Sequence, residues 1–418
     1  MTAQHSNTPL LQSSISPAVD RHDPRLLEGR WRRKHNPGEK IMSQEKLPEF
    51  GISKNIKQVG RTDLPGGGLV TVENGYAYVG HIDPPHGTSI LDVQDPKHPK
   101  LVSQLAVPEG IHSHKVRVSG DVMLVNYERY QTKKEPQAGL KVFDISDKAK
   151  PREIAFFKTA GKGVHRFTFD GRYAYLSPTF EGYVGNIVMI VDLKDPTRPE
   201  EVGRWWMPGQ WTAGEEQPAW SGDAHRCHHP IRRGNRLYVS YWHGGFVILD
   251  ISEMSRPKFV SGFSWNPPYP APIHTTLPMP WKIMGRDILV VADEDAQKRA
   301  PLPPAFLWIV DITEETHPVP ISTYVLPPSP SADPEFKVGC HQPAEQVYDN
   351  TLYVTWFSGG LRALDISNPY SPKEVGYYVP RPGKGQQTVK SNDVFRDNNG
   401  LLYLVDRYEG LEILESQV

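Results

Sequence analysis

The chain has 418 residues, and its 47 Lys and Arg offset 48 Asp and Glu, which leaves no surplus charge for gripping nucleic acid. With 35 Gly, 40 Pro and 38% hydrophobic residues it reads as globular and rich in turns, and only two Cys exclude a disulfide scaffold. No apolar run approaches the roughly 18 residues of a membrane span, and MTAQHSNTPLLQSSISP lacks the apolar core of a secretory leader, so a cytoplasmic location is expected. The unusual count is histidine, at 16.

Residues 1–50 are polar and Pro-bearing and read as an irregular arm, suited to packing on a second copy in a homo-oligomer. Their basic stretch RWRRKH (30–35) is too short for a nucleic-acid surface. A strand is expected around Val59 in NIKQVGRTDL. The glycine-rich LPGGGLV (64–70) has no following helix to make a dinucleotide site, so it reads as a tight entry to a strand. From there the chain repeats. Short β-branched and aromatic runs (GYAYVG, DVMLVN, RYAYLS, RLYVSY, DILVVA, TLYVTW, LLYLVD) mark a second strand in each of seven units. Each is followed by a third strand ending in an acid: Asp92, Asp144, Asp192, Asp250, Asp311, Asp365 and Glu415. A fourth strand (PKLVSQL, PREIAFF, PEEVGRW, PKFVSGF, PVPISTY, PKEVGYY) follows only the first six acids.

The missing seventh strand is the one around Val59, at the other end of the chain. Seven units whose last is completed by the N-terminal strand predict an all-β, seven-bladed β-propeller over residues 51–418, since closing the ring removes an exposed sheet edge. A β-sandwich seldom has seven matching units, and an open solenoid needs no strand from its far end. The phrases IVMIVDL (187–193), FVILDIS (246–252) and LWIVDIT (307–313) resemble the LVIVD-repeat family, a likeness running over roughly residues 55–418 that implies a propeller and little about chemistry.

In a propeller the first strand of each unit lines the axis. Histidines recur where that strand begins. His114, His165 and His228 stand ten residues before Leu124, Tyr175 and Tyr238, His341 stands twelve before Tyr353, and His274 precedes a longer connection. Units one and seven carry Gly68 and Asp393 by the same count. Equivalent positions converge on one axis, so five imidazoles there predict a divalent metal, Fe(II) first, with Cu, Mn or Zn as alternatives. Without a metal, so many neutral histidines would be hard to satisfy by hydrogen bonds.

The irregular loops share the face of this ring, and function concentrates in loops on a rigid scaffold. Trp211, Trp220, Trp242, Trp356 and Tyr127 are expected to wall a substrate pocket, and Glu128, Glu294, Glu345 and Asp223 to supply catalytic or ligand-orienting carboxylates. Glu345, four residues past His341, is the first candidate to orient a ligand. Neighbours on a strand point oppositely, so of His228 and His229 only one should face the axis, and Cys227 and Cys340 should not ligate if His228 and His341 do.

The layout resembles the carotenoid-cleavage oxygenases in architecture, where four histidines from separate blades hold ferrous iron; the parallel set here is His165, His228, His274 and His341, with His114 as substitute. It also resembles the selenium-binding/methanethiol-oxidase proteins, but the CxxC of that class is absent. The chain contains no P-loop, H-E-x-x-H or G-x-S-x-G motif. The expectation is therefore a metal-dependent oxidoreductase, a non-haem iron oxygenase acting on a small aromatic or apolar molecule. A redox-inactive metal would instead make it a hydrolase, lyase or isomerase, and the absence of any metal an interaction propeller.

Overall fold

In a computed structural model the described residues are 50–418 except 219, 221–224, 297–304, 328–335 and 409. The expected arm and its role in self-association therefore lie outside the described residues. Seven antiparallel sheets are present among the described residues. Blade 1 has strands Gly67–Glu73, Tyr76–His81, His86–Asp92 and Lys100–Ala106, and blades 2 to 5 repeat this order up to Val319–Tyr324. Among the described residues no helix is long and apolar enough to cross a membrane.

The closing strand is where the repeat count places it. Ile56–Thr62 pairs antiparallel with Leu411–Ser416, from Ile56 opposite Ser416 to Thr62 opposite Leu411. One feature was not foreseen. Ile52–Lys54 pairs with Lys373–Val379 on the outer edge of blade 6, so the incoming chain stitches two blades. Between the two strands Asn55 turns at φ 58°, and its Nδ2 donates to Val375 O at 2.8 Å. Ile56 is buried between blades 6 and 7 with Tyr353, Leu402 and Leu414.

The repeat's marker acid has a local purpose. Asp144, Asp192, Asp250, Asp311 and Asp365 each accept, through Oδ1, the backbone N–H two residues on, at 2.8–2.9 Å. This is the Asx turn that ends the third strand and starts the turn to the fourth. In each fourth strand a bulge is followed by a small residue, as at Ser103, Ser261 and Ser322. Their hydroxyls donate to Lys148 O, Glu315 O and Pro369 O of the next blade at 2.6–2.8 Å. Adjacent blades otherwise meet through aliphatic clusters, such as Tyr175, Ile190, Leu237 and Leu249 between blades 3 and 4.

Candidate metal centre

Strand register identifies the seven equivalent positions nearest the axis. Leu176, which pairs with Phe167, corresponds to Val79, Val125, Val239, Val291, Val354 and Leu404, whose partners are Val70, Val116, Pro230, Thr276, Pro343 and Val394. Counting back from these partners, the ring comprises Gly68, His114, His165, His228, His274, His341 and Asn392. Five of the seven are the expected histidines. Blade 7 corrects the count. Its first hairpin is one residue longer than that of blade 3, so Asn392 rather than Asp393 occupies the ring.

Register shifts fall at four of these positions, skipping Gly68, His165, His274 and Asn392. A bulge leaves its residue unpaired and re-aims its side chain. It also breaks alternation, so ring residue and successor are not forced to opposite faces. The successors form a second polar layer: Lys115, Arg166, His229, Thr275, Gln342 and Asp393 are all buried. Arg166 Nη2 donates to Gln342 Oε1 at 2.8 Å, Thr275 Oγ1 to Gln342 Oε1 at 3.0 Å, and His229 Nδ1 lies 3.0 Å from Thr275 Oγ1. Blade 4 carries no such shift, and there His228 joins the imidazole arc while His229 packs in the layer beside it, 3.2 Å from Glu345 Oε1.

The imidazoles run as a continuous arc. Ring centroids are separated by 3.7 Å for His112 and His114, 5.3 Å for His114 and His165, 4.9 Å for His165 and His228, 4.5 Å for His228 and His274, and 4.2 Å for His274 and His341. Gly68 makes room for this: a Cβ there would sit 2.5 Å from His114 Cβ and 2.7 Å from His114 O.

Hydrogen bonds fix the tautomers. His112 Nδ1 faces Ile82 O at 2.7 Å, His228 Nδ1 faces His274 O at 2.8 Å, and His341 Nδ1 faces Asn392 O at 2.6 Å. A carbonyl only accepts, so each Nδ1 carries the proton and each Nε2 keeps a lone pair. His165 Nδ1 likewise donates to Glu128 Oε2 at 2.8 Å. This carboxylate–histidine arrangement is the usual support of a metal ligand. His274 Nδ1 lies 2.7 Å from Thr275 Oγ1, with its Nε2 3.4 Å from Arg166 Nη1.

Burial holds His114, His228, His274 and His341 well below the usual histidine range, and it lowers His112 to about 4 and His229 to about 3. The ring is therefore neutral near pH 7. Burial alone would raise the Glu128 carboxyl, but the hydrogen bond from His165 and the charge of Arg226 act against it, and the carboxyl is held below its usual range.

The outcome is an arrangement suited to a cation. His165 Nε2 and His228 Nε2 are 3.1 Å apart, each presenting a lone pair to the other. Two imidazole nitrogens on one ion at about 2.1 Å each stand about 3.0–3.4 Å apart, so this spacing fits a shared metal. The ligating atoms of His228, His274 and Glu294 lie within 4.8 Å of one another, as do those of His112, His114 and Glu128. His114 Nδ1 is buried without a hydrogen-bond partner among the described residues. His341 Nε2 lies 3.8 Å from Glu294 Oε1. The donor set therefore fits a divalent metal.

Protonation should oppose both folding and metal binding here. Unfolded histidines take up protons near 6.5, whereas folded His112 and His229 resist until about 4 and about 3. The unfolded state then binds more protons, so stability is complete above about pH 6.5 and declines as pH falls toward 3–4. Melting curves of metal-free protein should show a lower Tm at pH 5 than at pH 7.5, and bound metal should be released over the same interval.

Other sequence-derived candidates are distributed differently. Glu345 does not touch His341. It pairs with Arg117, lies 3.2 Å from His229 Nε2 and 3.6 Å from Arg166 Nη2, and so braces the lower layer. No regular strand runs from His341 to Glu345, which is why the four-residue spacing misled. Asp223 lies outside the described residues. Trp242 covers His228 at 4.6 Å. Trp220 stacks on His225 at 4.4 Å instead, and Trp211 is exposed against Trp206. Trp356 is fully buried in the core of blades 5 and 6, and Tyr127 packs on Phe156 beneath Lys141, so neither walls a pocket. Cys227 and Cys340 are buried in the aliphatic core, where burial pushes both thiols up, so neither is poised as a thiolate ligand.

Residues missed from the sequence include Phe357, which covers His341 at 4.5 Å, and Tyr130, which stacks on His112 at 4.8 Å. Trp242 and Phe357 hold matching places with φ of 48° and 46°, a conformation bulky residues rarely adopt outside functional sites. The shared pattern YWHGG and WFSGG was the signal available. A cavity of about 790 Å³ opens beside the arc, lined by His112, Glu128, Tyr130, Lys162, His165, Phe180, Tyr183 and Arg226.

Four segments, 68–107, 136–159, 233–264 and 346–379, match the LVIVD repeat model. No curated protein matches the sequence. Among solved structures, Saccharomyces cerevisiae Sqt1 is similar at 9% identity and TM-score 0.52, over 87% of this chain and 89% of that one. A Lactobacillus plantarum protein is similar at 12% identity and TM-score 0.52, over 70% and 77%. The computationally designed Ika8 protein is similar at 9% identity and TM-score 0.51, over 85% and 98%. At such identities the likeness concerns the fold alone. The chain is thus a seven-bladed propeller with four segments that match the LVIVD repeat, and it carries two clusters of His and Glu side chains that could hold a metal, one buried and one partly buried.

Proposed function

We propose that this protein is a metal-dependent oxidoreductase, a non-haem iron oxygenase that acts on a small aromatic or apolar molecule. The observation that carries the reading is the pair of opposed Nε2 lone pairs of His165 and His228, 3.1 Å apart. His165, His228, His274 and His341 would hold the ion, with Glu294 beside them. An imidazole-rich site with a carboxylate suits iron, and also copper, manganese or zinc. Ferrous iron, when bound, supplies the electrons that activate dioxygen. Glu128 fixes the orientation of His165, and Trp242 and Phe357 cover ligand rings. The cavity beside His165 admits the substrate, with Tyr130, Phe180 and Tyr183 offering ring faces.

A second reading rests on Glu294, a buried carboxylate 3.8 Å from His341 Nε2. Beside a redox-inactive ion it would act as a general base in hydrolysis, elimination or isomerisation. An oxygen electrode separates the two. Fe(II)-loaded protein should consume dioxygen when aromatic substrates are added, and His165→Ala should not. Turnover of an ester or hydroxy compound with no oxygen uptake would favour the second reading.

A further inference from the structure

Arg226, two residues before the ring histidine His228, is not accounted for by the metal centre. It lines the 790 Å³ cavity together with His165 and Glu128. Its guanidinium lies over the Trp242 ring, 4.2 Å from the centroid, so the indole that covers His228 also fixes the arginine. Among the described residues it makes no hydrogen bond or ion pair, and it feels Glu128 and Glu294 only at longer range. The neighbouring arginines differ. Arg117 is paired with Glu345, Arg166 with Gln342, and Arg407 with Asn392. A half-buried guanidinium that faces a cavity with no protein acceptor on its donors can hold a planar oxyanion through two parallel hydrogen bonds. Of the carboxylates lining the cavity, Glu128 is engaged by His165 and Glu181 is exposed to solvent, so neither fills that place.

We infer that Arg226 is the substrate-anchoring residue of this site and that the substrate is a carboxylate with an aromatic or alkyl body. The carboxylate docks on the guanidinium and the apolar body lies along Tyr130 and Tyr183 toward His165. This rests on the cavity being the substrate site of the reading above, but the anchor itself needs no metal, since Trp242 holds Arg226.

Benzoate is the probe, with benzamide as its neutral isostere, titrated calorimetrically into full-length protein, metal-loaded and metal-free. Benzoate should bind both forms, and benzamide at least about 10-fold more weakly, because a hydrogen-bonded charge pair is worth roughly 1.5–3 kcal/mol. Arg226→Gln should weaken benzoate by about 10–100-fold in the metal-free form with metal content unchanged, and Arg226→Lys should recover part of the loss. Equal affinity for benzoate and benzamide, or benzoate binding that survives Arg226→Gln, would overturn the assignment. So would loss of metal in both folded Arg226 variants, which would make the residue a support of the ring. If wild-type protein takes up no metal yet binds benzoate through Arg226, the anchor stands and the oxidoreductase reading falls.

Discussion

Replacing His165 or His228 by Ala removes metal binding and leaves a folded propeller. These two side chains share the 3.1 Å Nε2 contact, so deleting either breaks the closest pair of donors and leaves three of the four imidazoles. Altering a group that merely supports a ligand costs about 10–100-fold in affinity, so loss of a ligand should cost more than about 100-fold. Glu128→Gln, which keeps the shape but loses the charge facing His165 Nδ1, should fall within the smaller range. Elemental analysis of the dialysed variants, with circular dichroism as the folding control, checks both. Full metal content in His165→Ala and His228→Ala would remove these residues from the site.

Gly68→Ala is the second large effect, from a single methyl group. The added Cβ meets the Cβ and backbone carbonyl of His114 at 2.5 and 2.7 Å. Gly80 closes on the same segment from the adjacent strand, where an added Cβ would meet His114 C at 2.6 Å, so the backbone has little room to retreat. Overpacking of this kind costs about 1–3 kcal/mol, and the upper end is expected where the obstacle is main chain. Urea denaturation should show the lowered midpoint. His114 should shift with it, so metal content should fall as well. Wild-type stability and metal content in Gly68→Ala would mean the first blade does not crowd the ring.

Much of this was legible in the chain itself. A strand count with one member missing after Glu415 and one to spare around Val59 has a single economical solution, a closed ring, and Ile56–Thr62 is paired accordingly. The five ring histidines were legible because strand-to-strand spacing is nearly constant in blades 2, 3 and 4. The same logic failed where local geometry departs from regularity. One extra residue in the first hairpin of blade 7 moved the ring position from Asp393 to Asn392. The bulges at His165, His274 and Asn392 hid the layer of Arg166, Thr275 and Asp393, because alternation assigns successive residues to opposite faces. Tryptophans were the poorest guide. Trp242 and Trp356 stand one position apart in the shared phrase: Trp242 matches Phe357 and covers His228, whereas Trp356 matches the buried Tyr241 and fills the core, so the offset rather than the residue type decides.

The central claim is that the axial arc of His114, His165, His228, His274 and His341 exists to hold metal. Inductively coupled plasma mass spectrometry tests it most directly, on untagged protein loaded anaerobically with Fe(II) and then desalted. At least about one equivalent of a transition metal per chain is expected, since burial keeps His114, His228, His274 and His341 neutral and the Nδ1 donors of His165, His228 and His341 leave their Nε2 lone pairs available. Less than about 0.2 equivalents of any transition metal after loading would contradict the account.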